Sequence, residues 1–346
     1  METIYPIFYN DIIVFSYKNH KDSIGIRAIN IKEGDIVWDI KQYVSDGKSL
    51  YYNLKPYINT NFLIIPCNNE LIAIDLDKGQ IKWKITHYDD AENFLESIGN
   101  KIFRTYYDYV KKQYFILMFD IETGMSKVVA QGKVLEGTKL FCRSPVPIFY
   151  NNDTLLFYSS IQQNISNRNT IPMIKVFSIK HGQNIMEDTL NINNLGNGIT
   201  KQPLVCNDKI VFLNDRQVLI YNWKNQFIQD TINMPRDMLT SRPLIQENIL
   251  YYAAEDGFLY AIELVKNTIV WKTKISGTPS QLRNVGNQLF VVGGGNGIFY
   301  AINKKNGFID FTIPSEKQQY SFERSFAINN NKIILFDKGV LHCFLY

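Results

Sequence analysis

The chain repeats itself. Few features narrow the choice of fold as sharply, because a recurring unit must bury its apolar face against its own copies. The pattern is Ala-Ile, an acid or amide, an apolar residue, a turn with glycine, and an aromatic. It stands as AINIKEGDIVW at 28–38, AIDLDKGQIKW at 73–83, AIELVKNTIVW at 261–271 and AINKKNGFIDF at 301–311. Weaker copies are MFDIETGMSKV at 118–128, VFSIKHGQNIM at 176–186 and IYNWKNQFIQ at 220–229, and the chain ends in a partial copy, LHCFLY at 341–346. The alanine-equivalent positions are 28, 73, 118, 176, 220, 261, 301 and 343. Their intervals run from 40 to 45 residues, apart from one of 58.

Each unit reads as four strands. In 243–275, PLI, ILYYAA, FLYAIEL and TIVWKTKI are apolar runs separated by QEN, EDG and VKN. Short apolar runs broken by Asn, Asp and Gly turns are a hairpin signature. Four antiparallel strands with no helix between them make a blade, and a succession of blades leaves only short, protected edges. The expected fold class is therefore all-β: a β-propeller of four-stranded antiparallel blades, occupying residues 1–346 as one domain. Eight blades are expected. Seven stay open, because the last copy stops after its third strand and only Met1–Ile4 could supply a fourth.

The motif Ala-x-Asp-x-x-x-Gly-x-x-x-Trp, held best at Ala73, Asp75, Gly79 and Trp83, resembles the tryptophan-docking blade of the pyrroloquinoline-quinone-type propellers. The resemblance implies that Trp38, Trp83 and Trp271, with Phe311 in the same slot, dock between neighbouring blades. It implies that Val128, Met186 and Gln229 fill the slot elsewhere. It is specific for fold and weak for function. The secretion signal and adjacent cysteine pair of the quinone enzymes are missing here.

With 45% hydrophobic and 14% aromatic residues, among them 22 Phe and 21 Tyr, the chain can build a large core. A net charge of +4, with both signs scattered, argues against nucleic acid as the partner. No run of about 18 apolar residues exists, so no membrane-inserted helix is expected. The start, METIYPIFYN, has neither the basic lead nor the apolar run of a signal peptide. Cys67, Cys142, Cys206 and Cys343 lie far apart and read as buried, reduced thiols. Together these features lead us to expect a cytoplasmic protein.

Because antiparallel strands alternate direction, the first-to-second and third-to-fourth turns share one face. The second-to-third and blade-to-blade connections share the other. Turns on the first face are minimal: CND, QEN, VGN, NNN, DKG, KEG and KNG. Connections on the second face are long, as at 41–53, 86–93, 161–170, 191–200, 233–242 and 313–324. Long loops on a rigid scaffold usually carry function. A basic residue also recurs at the start of the innermost strand: Lys55, Arg143, Lys201, Arg242, Arg283 and Arg324. Convergent cations would focus field on a carboxylate or phosphate. The same residues could instead cap solvated strand ends or pair with loop acids. The loops add Tyr51, Tyr52, Tyr88, Tyr320 and Phe322, aromatics that beside arginine typically anchor protein interfaces.

Catalytic patterns are missing from the sequence. His20, His87, His181 and His342 are isolated, so no metal site is expected. Asp75-Leu-Asp77-Lys-Gly79 lacks the later ligands of a calcium loop. Gly293-Gly294-Gly295-Asn-Gly297 lacks the Lys-Ser/Thr of a phosphate loop and reads as a tight turn. No cofactor is expected. The reading is a non-catalytic platform that binds a protein partner through its loop-rich face, in its most specific form a bacterial immunity protein that covers a toxin's active site. The alternatives are an enzyme or receptor for a small anionic or sugar ligand at the mouth of a central channel, and an assembly scaffold.

Overall fold

The structure is a computed structural model. It describes residues 6–18, 24–44, 56–59, 61–67, 70–86, 90–91, 95–133, 136–164, 170–189, 203–213, 217–234, 243–277, 279–294, 297–314, 326–329, 331–337 and 340–346. These form strands and turns and no helix. Eight antiparallel sheets follow one another along the chain, and the fold is an eight-bladed β-propeller. Met1–Ile4, the segment that could complete the last sheet, lies outside the described residues. Two compact units are distinguished, Met1–Val205 and Cys206–Tyr346.

In the first unit the first sheet contains Ile7–Tyr9, Ile12–Lys18, Ile24–Asn30 and Ile36–Val44, from innermost to outermost. The second contains Tyr57–Asn59, Phe62–Cys67, Glu70–Asp75 and Gln80–Thr86. The third contains Glu96–Ile98, Lys101–Asp108, Gln113–Asp120 and Ser126–Lys133, and Asp90–Ala91 pairs with the far end of its second strand. In the fourth, Val146–Tyr150 pairs with the near half of Asp153–Asn164, and Thr138–Cys142 pairs with the far half. Thr170–Ser178 and Gln183–Thr189 complete it. This corrects the reading of 161–170 as a long loop. The extra residues of the fourth repeat lengthen a hairpin, because Thr138–Cys142 supplies backbone partners for the prolonged strand.

The second unit holds three further four-stranded sheets and a last one of three described strands. They end in the outer strands Phe227–Asn233, Thr268–Lys274 and Ile309–Ile313, and in Val340–Leu345.

The repeat motif explains the third-to-fourth turns of five sheets. Asp75 Oδ1 accepts from the backbone N–H groups of Asp77 (3.1 Å) and Lys78 (3.0 Å), and Gly79 N donates to Asp75 O (2.8 Å). Asp120, Asn30, Asn222 and Asn303 close their turns through their side chains in the same way. A short polar side chain that bonds two residues on is what such a turn requires. Beyond the turn a bulge in the outer strand leaves Lys82 unpaired, since Ala73 faces Trp83 while Ile74 faces Ile81.

The bulge aims the tryptophan at the next sheet. The Trp38 indole N–H donates to Leu76 O (2.8 Å), that of Trp83 to Ile121 O (2.9 Å), and that of Trp271 to Lys304 O (3.0 Å). Each ring lies against the glycine of the receiving turn. A Cβ on Gly79 would stand 2.3 Å from Trp38 Cγ, and on Gly307 it would stand 2.7 Å from Trp271 Cδ2. Gly79 also has a φ of +62°, so glycine is required there for both space and conformation. Phe311 packs against the core between the seventh and eighth sheets, its ring 6.1 Å from that of Tyr346. Around Trp38 the core between sheets is aliphatic, formed by Leu63, Ile65, Ile72, Ile74 and Leu76.

Two slot assignments need correction. In the third sheet the bulge lies two residues further along, between Ile116 and Leu117, so Val128 pairs with Leu117 and stands 45% exposed. Ala130 and Val129 pack inward in its place, beside Ile179 of the next sheet. In the fifth sheet the residue opposite Ile220 is Asp230, not Gln229, which is exposed. Met186 occupies its slot as expected, opposite Val176 and buried. Among the thiols, Cys142 is buried, but Cys206 is half-buried and Cys343 exposed, on a strand with no outer neighbour among the described residues.

Candidate functional site

The two ends of each sheet differ. The end that carries the third-to-fourth turns is built of short side-chain-bonded turns, against which the docked rings lie. The opposite end carries the connections with which the expected site was associated. Of the expected residues, Arg143 and Arg283 belong to the described structure. Lys55, Lys201, Arg242, Arg324, Tyr51, Tyr52, Tyr88, Tyr320 and Phe322 lie outside the described residues.

Arg143 sits on the link between Thr138–Cys142 and Val146–Tyr150 and is half-buried. Its backbone is held from two sides. Its N–H donates to Ser159 O (3.0 Å), and its carbonyl accepts from Thr105 Oγ1 of the third sheet (3.3 Å). The flanking residues are held by the same strand. The Tyr107 hydroxyl both accepts from Cys142 N (2.7 Å) and donates to Cys142 O (2.5 Å), and Ser144 Oγ accepts from Thr105 N (3.3 Å). A backbone fixed this way pays no further ordering cost of its own when its side chain engages a ligand. Arg283 opens the inner strand of the seventh sheet, opposite Phe290, and is half-buried.

A buried cation escaped the sequence reading. Arg104, in the second strand of the third sheet, is fully buried. Its Nη1 donates to the carbonyl oxygen of Glu70 (2.7 Å) and to the Tyr106 hydroxyl (3.4 Å), and the guanidinium lies 5.2 Å from the centre of the Tyr106 ring. Glu70 is itself buried, and its carboxylate lies 3.0 Å from Lys84 Nζ. Burial raises the Tyr106 pKa, against the lowering influence of Arg104. A buried charge persists only when such partners surround it. Its signal was a single arginine inside the apolar run IFRTYY.

The first sheet carries a second polar cluster. Asp39 accepts from the Tyr17 hydroxyl (2.6 Å) and from Arg27 Nη2 (2.9 Å), and the Arg27 guanidinium lies 4.4 Å from the Tyr17 ring centre. Burial pushes the Asp39 carboxyl up, but the two hydrogen bonds and the Arg27 charge outweigh it and hold the carboxyl below its usual range. Each acid of this cluster is matched by a donor, which is the signature of an ion pair that fixes strands rather than of a poised base. Among the described residues, no group of three or more His, Cys, Asp or Glu side chains could hold a metal ion. No helix of the structure is long and apolar enough to cross a membrane. Gly293 and Gly297 close the turn between the second and third strands of the seventh sheet through Gly297 N to Gly293 O (2.9 Å).

The model of the outer membrane protein assembly factor BamB matches residues 217–339, so the quinone-type propeller repeat is present there in sequence as well as in shape. No curated protein matches the chain by sequence. Among solved structures, the computationally designed Ika8 protein is similar at a TM-score of 0.68 and 12% identity, over 100% of this chain and 97% of that one. BamB from Moraxella catarrhalis is similar at 0.61 and 13%, over 100% and 99%. Saccharomyces cerevisiae Sqt1 is similar at 0.65 and 10%, over 99% and 96%. At these identities the likeness is one of fold.

Proposed function

We propose that this chain is a non-catalytic propeller platform that binds a protein partner through the face carrying its long connections. The observation that carries the reading is the pinned Arg143 segment. A half-buried arginine is held there by hydrogen bonds from a neighbouring sheet, on the face where loops are long. The match to an assembly-factor model over residues 217–339 supports a protein-handling role. The most specific form keeps the sequence reading: a cytoplasmic immunity protein that neutralises a toxin by covering its active site. What supports that form is the lack of any catalytic pattern in the sequence.

The test is affinity capture from native lysate with mass spectrometry, using Arg143→Ala/Arg283→Ala and Arg242→Ala/Arg324→Ala as controls. The expected result is one stoichiometric partner, depleted by either control while the thermal unfolding profile is unchanged. The partner's own activity, assayed with and without the chain, decides the immunity form. A clean monomer under all conditions overturns the platform reading.

A further inference from the structure

Between the second and third sheets, at the turn end, a depression of about 440 Å³ is lined by Phe62, Lys82, Trp83, Glu122 and Thr123. Its walls are fixed. The Trp83 indole is tied to Ile121 O, and Glu122 and Thr123 belong to a turn whose backbone N–H groups donate to Asp120.

The repeat supplies a direct comparison. The corresponding residues at the junction of the first and second sheets are Ile12, Val37, Trp38, Asp77 and Lys78. There, Tyr9 lies across the gap. It pairs with Ile12, packs against the Trp38 cluster, and donates its hydroxyl to Asp77 Oδ1 (3.0 Å), with Asn61 Oδ1 at 3.4 Å. In the second sheet the position of Tyr9 is held by Asn59, opposite Phe62, whose side chain is too short to reach the next turn. The acceptors nonetheless remain. Glu122 stands where Asp77 does, and Asn100 where Asn61 does. At the sixth sheet the same position is Gln246, which again bridges, accepting from Asn284 Nδ2 (2.6 Å) and Lys304 Nζ (2.9 Å).

We infer that the depression at Trp83 is a docking point for a tyrosine side chain of a partner protein, which enters as Tyr9 does in the preceding junction. The ring meets Phe62 and the half-buried Trp83, the phenol donates to Glu122, and the Lys82 ammonium at the rim favours an aromatic face. The site is on the opposite end of the sheets from the proposed binding face and adds a second point of contact. It leans on the platform reading for its use in the cell, but its test needs no partner, so the two fail separately.

The probe is N-acetyl-L-tyrosine amide, titrated into the full chain and followed by saturation-transfer NMR. Saturable millimolar binding is expected, weakened about two- to tenfold for the phenylalanine analogue, as loss of one net hydrogen bond implies, and by less in Glu122→Gln, whose amide oxygen still accepts. Asn59→Tyr should abolish binding by filling the gap from within, and a crystal structure of that variant should place the new hydroxyl on Glu122. Absence of saturable binding overturns the inference. So does binding unchanged in Asn59→Tyr, or a phenylalanine analogue that binds as well as tyrosine. If Asn59→Tyr fails to fold, Glu122→Gln and the analogue still decide.

Discussion

Two junctions in this molecule solve one problem with opposite chemistry. Between the second and third sheets, Trp83 sends its ring over Gly124 and its N–H to a backbone carbonyl. Between the fifth and sixth, the same outer-strand position is Asp230, and the glycine position of the receiving turn is Asn267 at φ +57°. The Asn267 amide donates to the Asp230 carboxylate. A large ring demands a residue without a Cβ, whereas a short carboxylate leaves room for one and rewards a donor. Asparagine is also the residue besides glycine that best tolerates left-handed backbone. Two positions 37 residues apart have thus changed together, from shape complementarity to a hydrogen bond. A degraded tryptophan motif is therefore not a degraded junction.

The comparison can be broken at its strong end. Trp38→Ala removes a buried ring and leaves Leu76 O without its indole partner, so a loss of about 3–5 kcal/mol is expected in urea unfolding. A loss under about 1 kcal/mol would mean that the aliphatic cluster alone holds the junction. At the other end, Asp230→Ala and Asn267→Gly should each cost about 1–2 kcal/mol, and the double variant little more than either, glycine being the replacement that keeps the left-handed backbone of Asn267 unstrained. Additive costs would show that the pair does not act as a unit. Replacing Asp230 by Trp should destabilise alone and recover when Asn267→Gly is added. The weakest perturbation tests the shifted bulge. Val128→Asp should change stability by less than about 0.5 kcal/mol, since that side chain faces solvent. A large loss there would return Val128 to the slot.

What the sequence made legible follows the same division. The Asp-x-x-x-Gly turn is local, and its hydrogen bonds join residues two to four apart, so the spacing alone announces it. The docking of Trp38, Trp83 and Trp271 follows once the bulge has its usual place. The register of an outer strand, however, is set by pairing, and a bulge that moves by two residues leaves no mark at Val128 itself. Asp230 was hidden by a shift of one residue in a copy with no tryptophan to align it. The far end of the hairpin, at 161–170, was misread as a loop because its polar strand ends are stabilised by Thr138–Cys142, a partner outside the repeat. Arg104 stayed invisible because the carbonyl it binds lies 34 residues away. The Tyr107 and Thr105 bonds that pin the Arg143 segment come from another repeat and leave no mark near Arg143 itself.

The docking bonds also have a direction. Trp38 bonds a carbonyl 38 residues downstream, Trp83 one 38 downstream and Trp271 one 33 downstream. Three blades are thus completed by the ones made after them. On a ribosome adding about 5–20 residues per second, a finished sheet presents a bare indole for about 2–8 s before its receiving turn emerges. The newest outer strand is then the exposed surface of the nascent chain, and each new repeat covers the last while uncovering its own. Growth proceeds by succession, with one unsheltered ring travelling along the chain as it lengthens.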